Sequence, residues 1–257
     1  MSIDLTRVDE FALITLNRPD ALNALSFSLI ANLGAAIDEV GRGDARALLI
    51  TGSGPKAFCA GADIKELTGR SMQAQYDGAV FGQATFAKLD LLAMPSIAVI
   101  NGFAFGGGLE LAMACTFRMA TYNAKMGLPE VKLGLIPGYG GTQRLSRLIG
   151  ESRAMEMILT ARTVNAEEAH RIGLVHRLID PDTDPVARGI AFAREFSGYS
   201  LPVLALARSA ISRGMDMSLQ DGLRLEADLS TLAFQTDDAA EGMDAFSAKR
   251  KPGFKDR

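Results

Sequence analysis

The chain predicts an α/β core followed by an all-helical C-terminal lobe, and three observations carry that reading. Short apolar strands run through a glycine turn into a helix start twice, at residues 46–67 and again at 96–115. The recurrence is one of architecture, since the residues themselves are not repeated, and it points to stacked ββα-like units rather than independent domains. From about Pro202 onward the strand signals stop. A chain of 257 residues suits one large domain or a domain with an appendage, at ~100–200 residues per domain. We divide it into a core over residues 1–200 and a helical lobe over 201–257.

The elements follow in order. Ile3–Val8 and Ala12–Leu16 alternate about a polar turn and predict a hairpin, which Asn17-Arg18-Pro19-Asp20 breaks. Ser26 then reads as an N-cap, with Ile30, Leu33, Ile37 and Val40 on one helical face behind it. Arg46–Thr51 is a short buried strand ending at Gly52, and a loop leads through Phe58 to a helix start near Asp63. After a mixed helical stretch, Met94-Pro95 introduces a second buried strand, Ser96–Ile100. That strand is expected to pass through Asn101-Gly102 and the triple glycine directly into the helix carrying Glu110. Asn165-Ala166-Glu167-Glu168 resembles a capping box, opening a helix that Gly173 ends. Three helices close the chain, over 202–214, 218–234 and 237–249, before the basic tail Lys249–Lys255.

Composition narrows the function classes. A net charge of −3 with only four Tyr, thirteen Phe and no Trp offers neither the basic face nor the stacking groups of a nucleic-acid surface. The charged, alternating first residues read as a strand rather than a signal peptide. No apolar run reaches the ~18–20 residues that span a bilayer. Cys59 and Cys115 are far apart and outside any CxxC spacing, so neither a disulfide framework nor a zinc site is expected. A soluble, cytoplasmic protein without a metal, acting neither on nucleic acid nor at a membrane, is the expectation.

The chemistry centres on two carboxylates. Glu110 lies in Gly106-Gly107-Gly108-Leu109-Glu110-Leu111-Ala112, and Glu130 in Gly127-Leu128-Pro129-Glu130-Val131. Apolar surroundings strip hydration from a carboxylate and disfavour its charged form, and two such groups on one cavity can divide acid and base roles. A helix that begins just after a glycine turn leaves free N–H groups, so the 58–63 and 106–108 segments can supply oxyanion donors. Plainer readings stand beside these: Glu110 as a first-turn glutamate favoured by the helix dipole, Glu130 as a buried residue bonded to backbone. His170 and His176 read as surface or packing residues, and Cys59 as small filler.

Taken together, Phe58–Lys65, Asn101–Glu110, Leu128-Pro129-Glu130 and Gly134–Leu145 resemble the enoyl-CoA hydratase/isomerase (crotonase) family, and the resemblance runs over essentially the whole chain. It implies a spiral of ββα units with a C-terminal region that assembles homotrimers, often as a dimer of trimers. It implies backbone N–H donors at Ala62 and Gly107, with Glu110 activating water and Glu130 protonating the α-carbon. Ala60, Ala62, Asp63, Ile64, Lys65, Gly107, Pro137 and Gly138 would contact an acyl-CoA. Because both glutamates are present, the implied activity is hydration of a 2-enoyl-CoA thioester in fatty-acid or related acyl-CoA breakdown. Isomerisation or other CoA-thioester enolate chemistry is the nearest alternative, and RNA binding a distant one. CoA is part of the substrate, and no separate cofactor is implied. Leu109, where several hydratases have Cys, and Tyr139, which adds bulk to the proline-glycine loop that would shape the acyl pocket, depart from the family pattern.

Overall fold

Residues 2–257 are described in a computed structural model of the chain. Local pattern decides the first elements. β1 (Ile3–Val8) and β2 (Phe11–Leu16) pair antiparallel, Ile3 opposite Leu16. α1 (Phe27–Arg42) starts where Ser26 accepts the Leu29 N–H at 3.1 Å and buries Ile30, Leu33, Ile37 and Val40. β3 (Leu48–Gly52) is buried along its whole length, as a strand covered on both faces must be.

Three ββα turns follow. The first is β3, β4 (Ala57–Cys59), then the short α2 (Ile64–Leu67) and the long α3 (Met72–Leu91). The second is β5 (Ser96–Ile100), β6 (Phe103–Phe105) and α4 (Gly107–Ala114). The third is β7 (Phe117–Thr121), β8 (Lys125–Gly127), a 3-10 turn over Glu130–Leu133, and α5 (Gly141–Ile149) with α6 (Glu151–Leu159). Then come β9 (Val164–Asn165), α7 (Ala166–Arg171), β10 (Arg177–Ile179) and α8 (Pro185–Ala193). Among the described residues the strands form two sheets, ordered β1-β2-β3-β5-β7-β10 and β4-β6-β8-β9. Pairing is parallel beyond β2 in the first sheet and antiparallel only at β8–β9 in the second. Each turn of chain therefore lays one strand in each sheet before its helices.

Two expectations need correcting. Phe58 and Cys59 belong to a strand rather than a loop, and Ser96–Ile100 does not run directly into the glutamate helix, because β6 intervenes. Strands of three residues are too short to show a period of two, so only their partners in the second sheet reveal them.

The chain separates into two compact units, residues up to 92 with 96–193, and 93–95 with 194–257. In the second, α9 (Leu201–Gly214), α10 (Leu219–Ala233) and α11 (Asp237–Ser247) follow one another, and the Arg208 guanidinium donates to the Met94 carbonyl at 3.0 Å. The basic tail folds back within this unit. Buried Asp238 accepts the N–H groups of Lys255 and Asp256 at 2.6 and 2.9 Å, and Glu241 accepts that of Gly253 at 2.7 Å.

Candidate active site

The site is built where two glycine turns of the first unit dovetail. At the end of β4, Leu25 forms a parallel bridge with Ala62: its N–H donates to the Gly61 carbonyl and its carbonyl accepts the Asp63 N–H, each at 2.8 Å. Because extended backbone alternates its bonding direction, bonds on either side of Ala62 leave that residue's own N–H facing away from Leu25. At the end of β6, Gly106 adopts φ +49°, ψ −126°, a conformation only glycine takes easily, and Gly107 opens α4. The turns are in contact: a Cβ on Gly108 would lie 2.1 Å from the Cys59 carbonyl oxygen, and one on Gly61 3.1 Å from that of Phe105. Among the described residues the N–H groups of Ala62 and Gly107 have no protein acceptor, the latter because a helix's first turn has none to offer.

Glu110 projects from the first turn of α4, a helix buried throughout, and is itself 1 % exposed. Its Oε1 accepts the N–H groups of Tyr139 and Gly141, at 2.8 and 2.7 Å. Gly141 is the first residue of α5, so this carboxylate caps a neighbouring helix rather than its own. Burial pushes its pKa up to about 7; the two N–H donors and the Arg144 charge oppose that push, while the Glu130 charge adds to it. Glu130 opens the 3-10 turn after Pro129, and its Oε1 lies 2.8 Å from where a Cβ on Gly106 would stand. Its Oε2 is buried without a hydrogen-bond partner, and burial raises this carboxyl too. Two carboxyl groups that repel each other and resist ionisation thus lie near a pair of unengaged backbone donors. Such a site can hold an oxyanion and move protons on either side of it.

The remaining sequence candidates fall on two segments. Ala60 donates its N–H to the Leu22 carbonyl, and Asp63 caps α2 while pairing with Arg18 at 3.2 Å. Ile64 and Lys65 are exposed beyond it. Pro137 is buried and Gly138 half-buried, in the segment that delivers the Tyr139 N–H. The histidines stand apart from this constellation. His176 Nδ1 accepts the Arg118 N–H at 3.2 Å with its ring edge-on to Phe117, while His170 Nδ1 pairs with the Val175 carbonyl. Burial drives the His176 pKa down to about 4 and both thiols up to about 12. Among the described residues no cluster of His, Cys, Asp and Glu is arranged to hold a metal ion, and no helix is long and apolar enough to cross a membrane.

Sequence reasoning missed the backbone partners of Glu110, the Leu25 bridge, the close approach of Tyr139 to Gly82 on α3 and the bond from Gln83 to the Gly138 carbonyl. Gly82 gave one signal, a glycine inside a helical stretch, which often marks a close approach.

Comparison with known proteins shows the family. The profile of the family described as enoyl-CoA hydratase/isomerase matches residues 7–257. A probable enoyl-CoA hydratase of Rhizobium meliloti (strain 1021) is 44% identical over 245 residues, 95% of this chain and 94% of the relative. The crotonyl-CoA hydratase of Syntrophomonas wolfei is 44% identical over 256 residues, covering 98% and 97%. The crystal structure of enoyl-CoA hydratase from Bacillus anthracis superposes with a TM-score of 0.94 at 37% identity, covering 100% of both chains.

Proposed function

The chain belongs to the enoyl-CoA hydratase/isomerase family, and from that premise we infer that it is a hydro-lyase adding water across the 2,3 double bond of a 2-enoyl-CoA. One observation carries the reading: Glu110 is held by two N–H groups, while Glu130 sets Oε1 against the Gly106 turn and leaves its buried Oε2 without a hydrogen-bond partner. A metal-free hydration needs one carboxylate and one carboxylic acid near neutral pH, and repulsion between two buried carboxyls favours that single shared proton.

Water held between the two groups gives a proton to the Glu110 carboxylate as its oxygen attacks C3. The C2=C3 electron pair moves toward C2 and the thioester carbonyl, whose oxygen gains charge and is stabilised by the Ala62 and Gly107 N–H groups. Each such donor is typically worth ~3 kcal/mol in the transition state. The Glu130 carboxyl then protonates C2, completing a 3-hydroxyacyl-CoA, and transfer of a proton from Glu110 to Glu130 resets the pair. Ala60, Asp63, Ile64 and Lys65 extend the donor segment outward as the surface for CoA, with Pro137 and Gly138 beside the acyl group.

The physiological setting belongs to the same proposal: acyl-CoA breakdown in the cytoplasm, where two buried, unpaired cysteines remain reduced. We also propose a homotrimer, or a dimer of trimers, since the helices of the second unit leave Leu219, Leu223 and Leu232 more than half exposed.

Incubation with crotonyl-CoA, following loss of the conjugated-thioester absorbance, tests the activity. Hydration is expected in the native protein and a fall of ~10²-fold or more in Glu110→Gln, which keeps an acceptor for both N–H groups but cannot take water's proton. A protein that leaves crotonyl-CoA untouched yet moves a 3-enoyl double bond into conjugation is an isomerase.

A further inference from the structure

Gly82 lies buried in the middle of α3, a position where glycine weakens a helix relative to alanine. The reason is the Tyr139 ring: a Cβ on Gly82 would stand 2.3 Å from its Cδ1 and 2.5 Å from its Cε1. On its other side the ring meets Gly107, where a Cβ would lie 3.1 Å from Cδ2, and it sits edge-on to Phe86 with centroids 5.8 Å apart. The ring is therefore wedged between α3 and the first residue of α4. It has no room to retreat without carrying its own backbone.

That backbone holds the candidate base. The peptide joining Gly138 to Tyr139 donates its N–H to Glu110 Oε1 at 2.8 Å and accepts Gln83 Nε2 at its carbonyl at 2.8 Å. A trans peptide is planar with N–H and C=O opposed, so whatever fixes one end aims the other. Gln83 fixes the carbonyl, and the Gly82 notch fixes the ring. Asp90, two turns farther along α3, grips Arg144 of α5 at 2.6 Å. All three contacts come from one helix.

We propose that Gly82 and Tyr139 are a size-matched pair whose contact positions the Glu110 carboxylate for water activation, making Gly82 a positioning residue of the reaction. The proposal rests on the hydratase reading above. A methyl at position 82 must push the ring back by more than 1 Å to reach ordinary contact, and a misplacement of ~1 Å at a reacting group costs up to ~10²-fold. The charged groups acting on Glu110 besides its two N–H donors are Glu130 and Arg144. Neither is altered by a change at Gly82, so loss of the Tyr139 N–H would move the acid limb of the rate profile to higher pH.

A double-mutant cycle tests the pair. Gly82→Ala is expected to lower kcat on crotonyl-CoA by ~10- to 10²-fold, with KM changed less than about threefold and the acid limb shifted upward. In the Tyr139→Ala background, where the ring is gone, the same change is expected to cost less than about threefold. Wild-type kcat in Gly82→Ala, or an equal loss in both backgrounds, overturns the proposal. If Gly82→Ala fails to fold, recovery of folding in the double variant supports the pair and continued unfolding refutes it. Glu110→Gln run alongside separates the two claims. If that variant hydrates normally, the catalytic assignment fails; if it is inactive and the cycle shows no coupling, only the Gly82–Tyr139 pair fails.

Discussion

Glu110 and Glu130 are both glutamates in apolar, glycine-flanked segments, yet their surroundings differ. Glu110 accepts two short N–H bonds that favour its charged form, and Glu130 has an oxygen with no partner. Their amide variants should therefore fail differently. Glu130→Gln is expected to abolish both hydration and α-proton exchange of an acyl-CoA in D₂O. Glu110→Gln is expected to lose hydration while retaining slow exchange, and NMR of the exchanged product reads the difference. Stability carries a second signature. Burial pushes the folded Glu110 carboxyl up to about 7 from an ordinary 4.5. Its folded pKa is raised, so its contribution is fully present below ~4.5 and is lost as pH climbs through ~7. Urea unfolding at pH 5 and pH 8.5 should show Glu110→Gln gaining on the native protein by a few kcal/mol across that interval. A constant difference at both pH values would show that Glu110 is not held in this way. Glu110 does lie in the first turn of α4, but the N-terminus it caps is that of α5, 31 residues downstream.

At the scale of elements, glycine positions separate framework from rim. A Cβ on Gly108 would collide with the Cys59 carbonyl at 2.1 Å, whereas one on Gly138 meets nothing within 4 Å. Gly108→Ala is expected to destabilise the fold by several kcal/mol or prevent soluble expression, since backbone on both sides must move. Gly138→Ala should melt within a few degrees of the native protein, and thermal scans of the two compare them directly. In the proposed site the Tyr139 ring, beside Gly107, would take up room next to the acyl group. Tyr139→Ala is expected to raise kcat/KM for eight- to ten-carbon substrates relative to crotonyl-CoA, and an unchanged chain-length profile would contradict that. Long amphipathic or fully buried runs such as α1, β3 and β5 were legible because their neighbours in sequence report their burial. The second sheet was not, because β4, β6 and β8 are three residues each and exist only through one another.

The whole molecule presents an apolar second unit to its surroundings: Leu219 is 80% exposed, Phe234 64% and Phe246 86%. Burying that much apolar surface is favourable at ~25 cal/mol per Å², so light scattering is expected to return a trimer or hexamer at micromolar concentration; monomer alone would refute it. Leu232→Asp should shift the distribution toward smaller species. The basic tail is tied to α11 by Asp238 and Glu241, an arrangement that side-chain identity announces only after the helices are in place. What the sequence determined by itself was local: strand and helix runs, the Ser26 cap, the glycines at positive φ, and the two carboxylates set among apolar residues. Those properties depend on φ, ψ and burial over a few neighbouring residues, which the order of amino acids encodes directly. Tertiary structure alone decided which N–H groups hold Glu110, why Glu130 keeps an unpaired oxygen, and why α3 needs a glycine at residue 82. Each of those depends on contact between segments 24 to 57 residues apart, and packing, rather than local periodicity, sets such contacts.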